Sequence, residues 1–294
     1  MPNGQKNNKV AISGATGFIG TALSNFLEIN GFEVVRLKRH HFNEKQSSLK
    51  KLMDGCSIII NLAGAPVASK KWTSSYKKEI LKSRIATTAK LVDVIHEMDV
   101  KPDLFISTSA VGIYDSYEVH DEFSTNYAND FLGDVCQQWE AKAYRAQTLD
   151  HVRLCIVRLG VVLGNEGGAF PKMIKPFKLG LGAKLGDGHQ VFPFIHINDV
   201  LSAFWYLIQR EASSGIYNFV APQMISNLEI TNALQSRTRK SLVPFVPEFA
   251  LNVLYGEGAK MLLEGQKVIP KRLEKDNFHF AFPTFDAVLD DLLL

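Results

Sequence analysis

Short apolar runs alternate with amphipathic stretches along the first two thirds of the chain. The runs are rich in β-branched residues and predict buried strands at 9–13, 33–37, 57–62, 104–108, 154–158 and 217–220. The stretches between them repeat apolar positions at helical spacing and predict helices at 18–29, 74–98, 130–148 and 198–210. Continuously apolar strands separated by amphipathic helices are typical of a parallel sheet covered on both faces. The pattern therefore predicts a doubly wound α/β fold with its ligand at the carboxyl ends of the strands.

The first predicted strand runs directly into a glycine-rich turn and then into a helix. Gly14, Gly17 and Gly20 give the spacing Gly-x-x-Gly-x-x-Gly. Such a joint points backbone N–H groups and the positive end of the helix dipole at a phosphate. Gly14 permits the turn, Gly17 lets a pyrophosphate approach, and Gly20 lets the helix pack close to the strand. The motif predicts a dinucleotide site in a Rossmann sheet, with a ligand-free tight turn as the alternative.

The second predicted strand ends in a basic segment. About 20 residues after the first glycine, an NAD site has an Asp or Glu that accepts a hydrogen bond from the ribose 2′-hydroxyl. This chain has Lys38, Arg39, His40 and His41 there. A guanidinium grips a 2′-phosphate with paired donors. The sequence therefore predicts NADP(H) as cofactor, with Arg39 as the main contact, and an ordinary solvated basic loop is the alternative.

The amino-acid composition of the chain changes after the strand at 154–158. Residues 164–193 are rich in glycine and proline, so they are predicted to be loop-dominated and to line a substrate cleft. From residue 222 onward, short helical stretches and prolines such as Pro244 predict a small, mostly helical C-terminal substrate lobe. The expected division is an NADP(H)-binding Rossmann domain over 9–163 and 196–221, and a substrate lobe over 164–195 and 222–294.

Composition mainly excludes other classes of protein. With 46% hydrophobic and 21% charged residues, the chain is typical of a globular domain. A net charge of +3 is too small to indicate a nucleic-acid partner, and there is no apolar run of about 18 residues to predict a membrane span. Residues 1–8 are polar and predict a frayed tail rather than a signal peptide. We expect a cytoplasmic protein that acts on a small molecule, and the oligomeric state is left open.

The cysteines give no sign of a metal site or of disulfides. Cys56, Cys136 and Cys155 lie far apart among apolar neighbours. They form neither a metal-binding spacing nor an even framework, so reduced thiols and no metal are expected.

Several further motifs resemble the extended short-chain dehydrogenase/reductase superfamily, of the NAD-dependent epimerase/dehydratase type. Besides the glycine turn they lie at 61–64 (Asn-Leu-Ala-Gly), 107–109 (Ser-Thr-Ser), 158–164 and 194–199. More narrowly, the chain resembles an atypical epimerase-like or cell-division-inhibitor-like subgroup with its own C-terminal domain. The narrower signs lie at 61–66, 83–85, 109–114, 139–140, 265–270 and 282–284.

The resemblance implies cofactor contacts position by position. The residues that would hold the pyrophosphate are Gly14, Thr16, Gly17, Phe18, Ile19 and Gly20. Those beside the adenosine half would be Leu62, Ala63 and Gly64, while Arg39 would meet the 2′-phosphate. Those near the nicotinamide would be Ser107, Leu159, Gly160 and Val161.

The superfamily's usual proton-transfer pair is absent. That pair is Tyr-x-x-x-Lys on the helix after the strand at 104–108, where the ammonium lowers the tyrosine pKa. None of the eight tyrosines has a lysine four residues later. Anchored on Glu140, the tyrosine position falls at Phe131 or Leu132 and the lysine position at Val135 or Cys136. The resemblance thus implies a cofactor site without the usual acid–base machinery.

Other residues are candidates for the missing chemistry. Ser109 and Tyr114 follow the strand at 104–108, and Tyr114 donates a proton if a cation lies nearby; a structural aromatic is the alternative. His196 and Asp199 have the look of a catalytic pair, but they open a helix, where Asp199 caps or biases the first turn.

The substrate contacts are expected on both sides of the cleft. Trp72 and Arg84 offer a stacking surface and an anion contact, with a solvated helix start and a surface ion pair as the alternatives. Arg84 also stands where the superfamily usually has an Asn. Gln190 and Phe194 are expected to line the substrate pocket.

Two functional hypotheses follow from this combination. The first is an NADP(H)-dependent oxidoreductase or epimerase-like enzyme with an unusual proton donor, Tyr114 or water. The second is a catalytically inactive pyridine-nucleotide sensor or regulator. The missing Tyr–Lys pair favours the second, and the glycine-rich substrate segment favours the first.

Overall fold

The computed structural model describes residues 8–238 and 245–294. Its strands are β1 (Lys9–Ser13), β2 (Glu33–Leu37), β3 (Ile58–Asn61), β4 (Leu104–Ala110), β5 (Val119–His120), β6 (Arg153–Leu159), β7 (Val161–Gly164), β8 (Gly167–Gly168), β9 (Lys184–Leu185), β10 (Phe194–His196), β11 (Gly215–Phe219), β12 (Phe245–Val246) and β13 (Lys267–Val268). Its helices are α1 (Phe18–Ile29), α2 (Gln46–Met53), α3 (Ser74–Glu97), α4 (Phe131–Tyr144), α5 (Phe170–Lys178), α6 (Ile197–Gln209), α7 (Asn227–Thr238), α8 (Glu248–Tyr255), α9 (Lys260–Leu263), α10 (Lys271–Lys275) and α11 (Phe285–Leu292).

Six strands form one central sheet in the order β11-β6-β4-β3-β1-β2. Every pairing in it is parallel, which confirms the predicted doubly wound α/β sheet. Separate clusters of buried apolar side chains cover its two faces. One cluster packs α1 and α6 against the sheet, and the other packs α2, α3 and α4 there. Burial on both faces explains why these strands read as unbroken apolar runs.

The register brings the functional loops to one edge of the sheet. Ser13 lies opposite Leu37 on one side and Asn61 on the other, and Asn61 lies opposite Ser107. The loops that follow β1, β2, β3 and β4 therefore leave the sheet side by side. Because β2 and β3 lie on opposite sides of β1, the strand order reverses at this point. Ligands of doubly wound sheets bind at such a switch point.

The helix boundaries follow capping residues. The Thr73 side chain accepts a hydrogen bond from the Tyr76 N–H at the start of α3, and Asp130 accepts one from the Gly133 N–H at the start of α4. The helix predicted at 130–148 ends sooner, at Tyr144, and continues as a short 3-10 turn.

The glycine-rich segment is less loop-like than predicted. Residues 170–178 form the nine-residue helix α5, whose buried face consists of Phe170, Ile174 and Phe177. Pro171 stands in its first turn, where a missing N–H costs nothing. The neighbouring strands β10, β7 and β8 form a small separate sheet. The loop prediction was wrong for this helix because its prolines and flanking glycines hide the helical pattern.

The C-terminal region is helical, as predicted, and is attached to the sheet domain by buried polar groups. Asp199 accepts hydrogen bonds from the backbone N–H groups of Ala281 at 2.8 Å and Phe282 at 3.0 Å. The His196 Nε2 lies 3.2 Å from an Asp291 carboxylate oxygen. The prediction for Pro244 falls outside the described residues. The division into two domains stays a prediction.

The remaining expectations concern partners and metals. In the two described ranges no helix is long and apolar enough to cross a membrane. The same ranges contain no group of three or more His, Cys, Asp or Glu side chains arranged to hold a metal ion. Cys56, Cys136 and Cys155 are buried free thiols.

Candidate functional site

The glycine turn after β1 lies directly against the loop after β3. Gly14 has a φ of +71°, and a Cβ there would lie 2.7 Å from the Leu62 carbonyl carbon. A Cβ on Gly20 would lie 2.1 Å from the Gly14 carbonyl oxygen. Both positions therefore exclude any side chain, and the two loops form one continuous edge at the switch point.

Helix α1 presents its amino-terminal end at this edge. Its cap residue, Gly17, supplies no side-chain acceptor, and the first turn contains no acidic residue. The leading N–H groups of a helix have no partner within the helix, so those of Phe18, Ile19 and Gly20 are donors for an external acceptor. Thr16 and Gly17 are exposed, which leaves the helix end open to solvent.

The Phe18 side chain packs against three glycines of the glycine-rich segment, a contact that was not predicted from the sequence. Its ring lies where a Cβ on Gly164, Gly167 or Gly168 would stand, at 2.7, 2.7 and 2.9 Å from ring atoms. These glycines therefore accommodate one aromatic ring, and they join the glycine turn after β1 to the glycine-rich segment.

Arg39 lies at the carboxyl end of β2, next to the glycine turn. It begins a short 3-10 turn, Arg39–Phe42, and its side chain is exposed. No carboxylate of the described residues pairs with it, whereas Arg36 on the strand pairs with Glu28 at 2.5 Å. The Lys90 ammonium fixes the same loop by donating to the Phe42 carbonyl oxygen at 2.9 Å. Arg39 is thus an available cation beside the open helix end.

A buried polar network supports the edge from below. The Ser13 hydroxyl donates to the Asn61 Oδ1 at 2.6 Å, and the Asn61 Nδ2 donates to the Thr88 hydroxyl at 2.7 Å. The Trp139 indole N–H donates to the same hydroxyl at 2.9 Å. Ser107 is buried in this network, 3.4 Å from the Asn61 Nδ2. The network joins β1, β3, α3 and α4, so it fixes where residues 62–64 leave the sheet.

The segment from Leu159 to Val161 closes the other side of the edge. The Val161 N–H donates to the Pro193 carbonyl oxygen at 2.7 Å. A Cβ on Gly160 would lie 2.6 Å from that oxygen, so the backbone approach requires glycine. Leu159 lies opposite Ala110 in the sheet, which places this segment beside the end of β4.

The structure contradicts the assignment of Tyr114 as a proton donor. Its side chain is 0% exposed and stacks on His120 with ring centroids 4.8 Å apart. Its hydroxyl accepts from the Arg158 guanidinium at 2.7 Å and lies 3.0 Å from the Asn218 Oδ1. Burial raises the pKa of Tyr114 to about 12. The cation predicted nearby is present, but it holds a structural aromatic that has no contact with solvent in this structure.

Ser109 lies at the end of β4, beside the Cys136 thiol. Its hydroxyl is buried and has no hydrogen-bond partner of standard geometry. Burial raises the pKa of Cys136 to about 12, so the thiol stays protonated at neutral pH. The assignment of Ser109 to catalysis stays a prediction.

His196 and Asp199 do not form a catalytic pair. The His196 Nδ1 accepts from the Asn198 N–H and caps α6, a role the sequence analysis gave to Asp199. Both Asp199 oxygens are taken by the C-terminal region. Burial raises the pKa of Asp199 and lowers that of His196.

The two pocket residues predicted on β10 and before it differ in their surroundings. Phe194 is 0% exposed and packs edge-on against Phe285 with centroids 5.5 Å apart, so its assignment to the substrate pocket was wrong. The Gln190 Nε2 donates to the carbonyl oxygens of Leu185 and Leu262, at 3.1 and 2.8 Å. Its Oε1 is buried and has no hydrogen-bond partner among the described residues. Gln190 therefore remains a candidate for a ligand contact.

Trp72 lies where the sheet domain meets the C-terminal region. Its indole N–H donates to the Val67 carbonyl oxygen at 2.8 Å, and its ring packs edge-on against Phe131 at 5.3 Å. A Cβ on Gly258 would lie 3.4 Å from the indole. The nearby Lys77 ammonium pairs with the Glu257 carboxylate at 2.8 Å. These contacts place Trp72 under the turn that follows α8.

Arg84 projects from α3 toward the loop after β3. Its Nη1 donates to the carbonyl oxygens of Ala65 at 3.0 Å and Ile80 at 3.2 Å. Its guanidinium carbon lies 5.1 Å from the centre of the Trp139 ring. It forms no ion pair within the described ranges, and burial lowers its pKa. The surface ion pair considered as an alternative is therefore not what the structure shows.

Comparison with known proteins places this geometry among relatives of nearly the same length. The sequence profile of the NAD dependent epimerase/dehydratase family matches residues 10–219, and that of a domain of unknown function, DUF1731, matches residues 246–292. The epimerase family protein SDR39U1 of Mus musculus is 36% identical over 297 residues, which cover 97% of this chain and 99% of the mouse protein. The chloroplastic SDR39U1 homolog of Arabidopsis thaliana is 36% identical over 293 residues, covering 93% of this chain and 83% of the plant protein.

A solved structure of a relative extends the comparison to three dimensions. The crystal structure of human epimerase family protein SDR39U1 (isoform 2) with NADPH matches with a TM-score of 0.89 and 33% identity. The match covers 97% of this chain and 98% of the human chain. Both the sheet domain and the C-terminal region thus have counterparts in one relative.

Proposed function

The chain belongs to the NAD dependent epimerase/dehydratase family, and on that premise we propose that it binds NADPH and acts as an oxidoreductase or epimerase-like enzyme on a small molecule. The observation that carries this proposal is the open amino-terminal end of α1, together with Arg39, which follows the neighbouring strand β2 and pairs with no carboxylate of the described residues. A dinucleotide with a 2′-phosphate has an anionic group for each of these features. The NADPH in the structure of the human relative supports the same choice of cofactor.

The residues at the carboxyl edge fit such a cofactor. Gly14 and Gly20 let the turn, the loop after β3 and α1 pack closely, and the exposed Gly17 leaves the helix end without a side chain where a pyrophosphate would lie. Leu62, Ala63 and Gly64 would border the adenosine half, and the segment from Leu159 to Val161 would border the nicotinamide. When bound, NADPH supplies a hydride, and the protein's task is to orient it toward the substrate.

The substrate is proposed to lie between the sheet domain and the C-terminal region. Trp72 lies against Gly258 and Gln190 donates to the Leu262 carbonyl oxygen, so both contact the C-terminal region. Arg84 lies at the loop after β3, where it donates to the Ala65 carbonyl oxygen. With Tyr114 inaccessible, water or a group of the substrate itself is left as the proton source. Ser109 would assist only if a ligand-bound form exposed its hydroxyl.

A nucleotide sensor or regulator without catalysis is the second candidate. The resemblance puts the usual tyrosine at Phe131 or Leu132 and the usual lysine at Val135 or Cys136, and none of these side chains supplies a proton near neutral pH, because three are hydrocarbon and burial raises the pKa of Cys136 to about 12. This observation favours a protein that keeps the cofactor and lacks the acid–base step.

The test begins with direct binding. Titration calorimetry with NADPH and with NADH should show stronger binding of NADPH, and Arg39→Ala should weaken it by about 1.5–3 kcal/mol, the range for hydrogen bonds to charged groups. Arg145→Ala, at an exposed Arg–Asp pair on the helix turn after α4, is the matched control and should bind as the wild type does. Equal affinity for both nucleotides that ignores Arg39→Ala would refute the assignment.

Turnover then separates the two candidates. NADPH-loaded protein is incubated with a broad panel of aldehydes and ketones, and the absorbance of the reduced nicotinamide is followed. Oxidation of NADPH that depends on one carbonyl compound supports the enzyme. Binding of NADPH with no turnover across the panel supports the sensor.

A further inference from the structure

The Arg84 guanidinium is a half-buried cation with unused donors. Only its Nη1 donates to protein acceptors, the carbonyl oxygens of Ala65 and Ile80. Within residues 8–238 and 245–294, its Nε and Nη2 have no hydrogen-bond acceptor. These two groups share one edge of the guanidinium, and their N–H bonds point in parallel. This edge has the geometry that holds two oxygens of one carboxylate or phosphoryl group.

The surroundings of Arg84 do not neutralise its charge. The ionisable groups that act on it are Cys136 and Tyr76, and no carboxylate of the described chain pairs with it. The Cys136 thiol is protonated at neutral pH because burial raises its pKa to about 12. The Tyr76 hydroxyl donates to the Pro66 carbonyl oxygen. A cation that is half removed from water without an anion is costly, so the site favours an anionic ligand.

Packing fixes the guanidinium in place. The Trp139 ring lies 5.1 Å from its central carbon, and the Trp139 side chain is only 5% exposed. A Cβ on Gly64 would lie 2.9 Å from the same carbon, so the absence of a side chain there lets Arg84 approach the loop. Gly64 itself is exposed. The guanidinium is therefore held beside an open stretch of the loop that the proposed function gives to the cofactor.

We propose that Arg84 binds one anionic group of the substrate, a carboxylate or a phosphoryl group, through its Nε–Nη2 edge. This inference rests on the proposed function, because the loop at 62–64 brings the same edge next to the cofactor. It names the substrate class: a small molecule that carries a planar or tetrahedral oxyanion near its reacting carbon.

Anion titration of NADPH-loaded protein tests this site. Acetate and inorganic phosphate are added at constant ionic strength, and tryptophan fluorescence reports binding, because the Trp139 ring lies against the guanidinium. The wild type should show saturable binding, and the preference between the two probes identifies the group. Arg84→Gln should weaken that binding by about ten- to a hundredfold, since a charged two-point contact is lost. Arg84→Lys should bind with intermediate strength, and Arg145→Gln should match the wild type.

A second variant keeps the test independent of the loss of Arg84. Gly64→Ala retains the guanidinium but places a methyl group 2.9 Å from its central carbon, so the edge must shift. We expect weaker anion binding from this variant as well. Thermal unfolding of each variant establishes that the protein is folded before binding is compared.

Three results would overturn the inference. One is the absence of saturable anion binding in the wild type, and another is Arg84→Gln binding both probes as the wild type does. The third is a loss of NADPH affinity in Arg84→Gln as large as the loss of anion affinity, which would assign Arg84 to the cofactor. Failure of the wild type to bind NADPH would instead refute the proposed function, and titration of the NADPH-free protein would still decide whether Arg84 holds an anion.

Discussion

Arg158 and Glu140 form a two-point ion pair in the interior of the sheet domain. The Arg158 Nε and Nη2 each donate to one Glu140 carboxylate oxygen, both at 2.8 Å. Arg158 is 0% exposed and Glu140 is 5% exposed. The third guanidinium nitrogen donates to Tyr114. The pair thus connects β6, α4 and the turn after β4 behind the candidate site.

Glu140→Gln is expected to destabilise the protein strongly. The substitution leaves the Arg158 charge buried without an anion, which costs about 3–5 kcal/mol of unfolding free energy. Denaturation by urea measures the loss. Glu28→Gln is the matched control, because Glu28 pairs with Arg36 at the surface, where an ion pair contributes about 0–1 kcal/mol. Similar losses for the two variants would contradict the structural account.

Tyr114→Phe is expected to affect stability and to leave NADPH affinity unchanged. Removing the hydroxyl takes an acceptor from Arg158 and leaves its N–H buried without a partner, at a cost of about 1–3 kcal/mol. Thermal unfolding and calorimetric NADPH titration measure the two effects. If a substrate is found, kcat of the variant should stay close to that of the wild type. A fall of about a hundredfold in kcat would restore Tyr114 as the proton donor.

Gly17→Val is expected to abolish NADPH binding while the protein stays folded. Gly17 is exposed and has a φ of −80°, and a Cβ there would lie 3.3 Å from the Gly14 carbonyl oxygen, so the turn must adjust by only a few tenths of an ångström while the rest of the side chain enters the space of the ligand. Gly20→Ala provides the contrast, because its Cβ would lie 2.1 Å from the Gly14 carbonyl oxygen and must disturb the fold. NADPH titration and thermal unfolding distinguish the two cases. Near-normal NADPH affinity in Gly17→Val would place the cofactor elsewhere.

His196 is expected to make the protein less stable as the pH falls. Burial lowers its folded-state pKa, while the unfolded value is about 6.5, so the unfolded chain binds a proton that the folded chain resists. Unfolding free energy should therefore fall as the pH drops below about 6.5, by at most ~1.4 kcal/mol per pH unit. Urea denaturation at a series of pH values should show a shallower slope for His196→Gln. The same slope in both proteins would exclude His196 as the cause.

The amino-terminal elements could be predicted from the sequence because their signals are local. Helix α1 was predicted from Phe18 to Ile29, as the structure has it, since an apolar stretch follows the glycine turn directly. Strand β2 likewise agrees residue for residue. The order of the loops at the carboxyl edge then follows from the parallel sheet, which is why a candidate nucleotide site could be proposed from the sequence.

Features that depend on distant partners could not be predicted in this way. The burial of Tyr114 depends on Arg158 and Asn218, which lie 44 and 104 residues along the chain. Phe194 was predicted to line the substrate pocket. Its packing against Phe285 could not be predicted, because Phe285 lies in the C-terminal region, far away along the chain. The charge of Arg84 suggested an anion contact, with a surface ion pair as the alternative. Only its contacts in the structure show that it is a half-buried cation and not part of a surface ion pair.

The packing of the Phe18 ring against three glycines limits which substitutions this protein can accept during evolution. Any side chain at 164, 167 or 168 would collide with the ring. Any smaller residue at 18 would leave a cavity beside the glycine turn after β1. A substitution at Phe18 alone, or at one of the glycines alone, would therefore cost stability. We expect related sequences that differ at one of these positions to differ at the other as well. Position 18 and the segment 164–168, which lie nearly half the chain apart, are therefore expected to covary among related sequences.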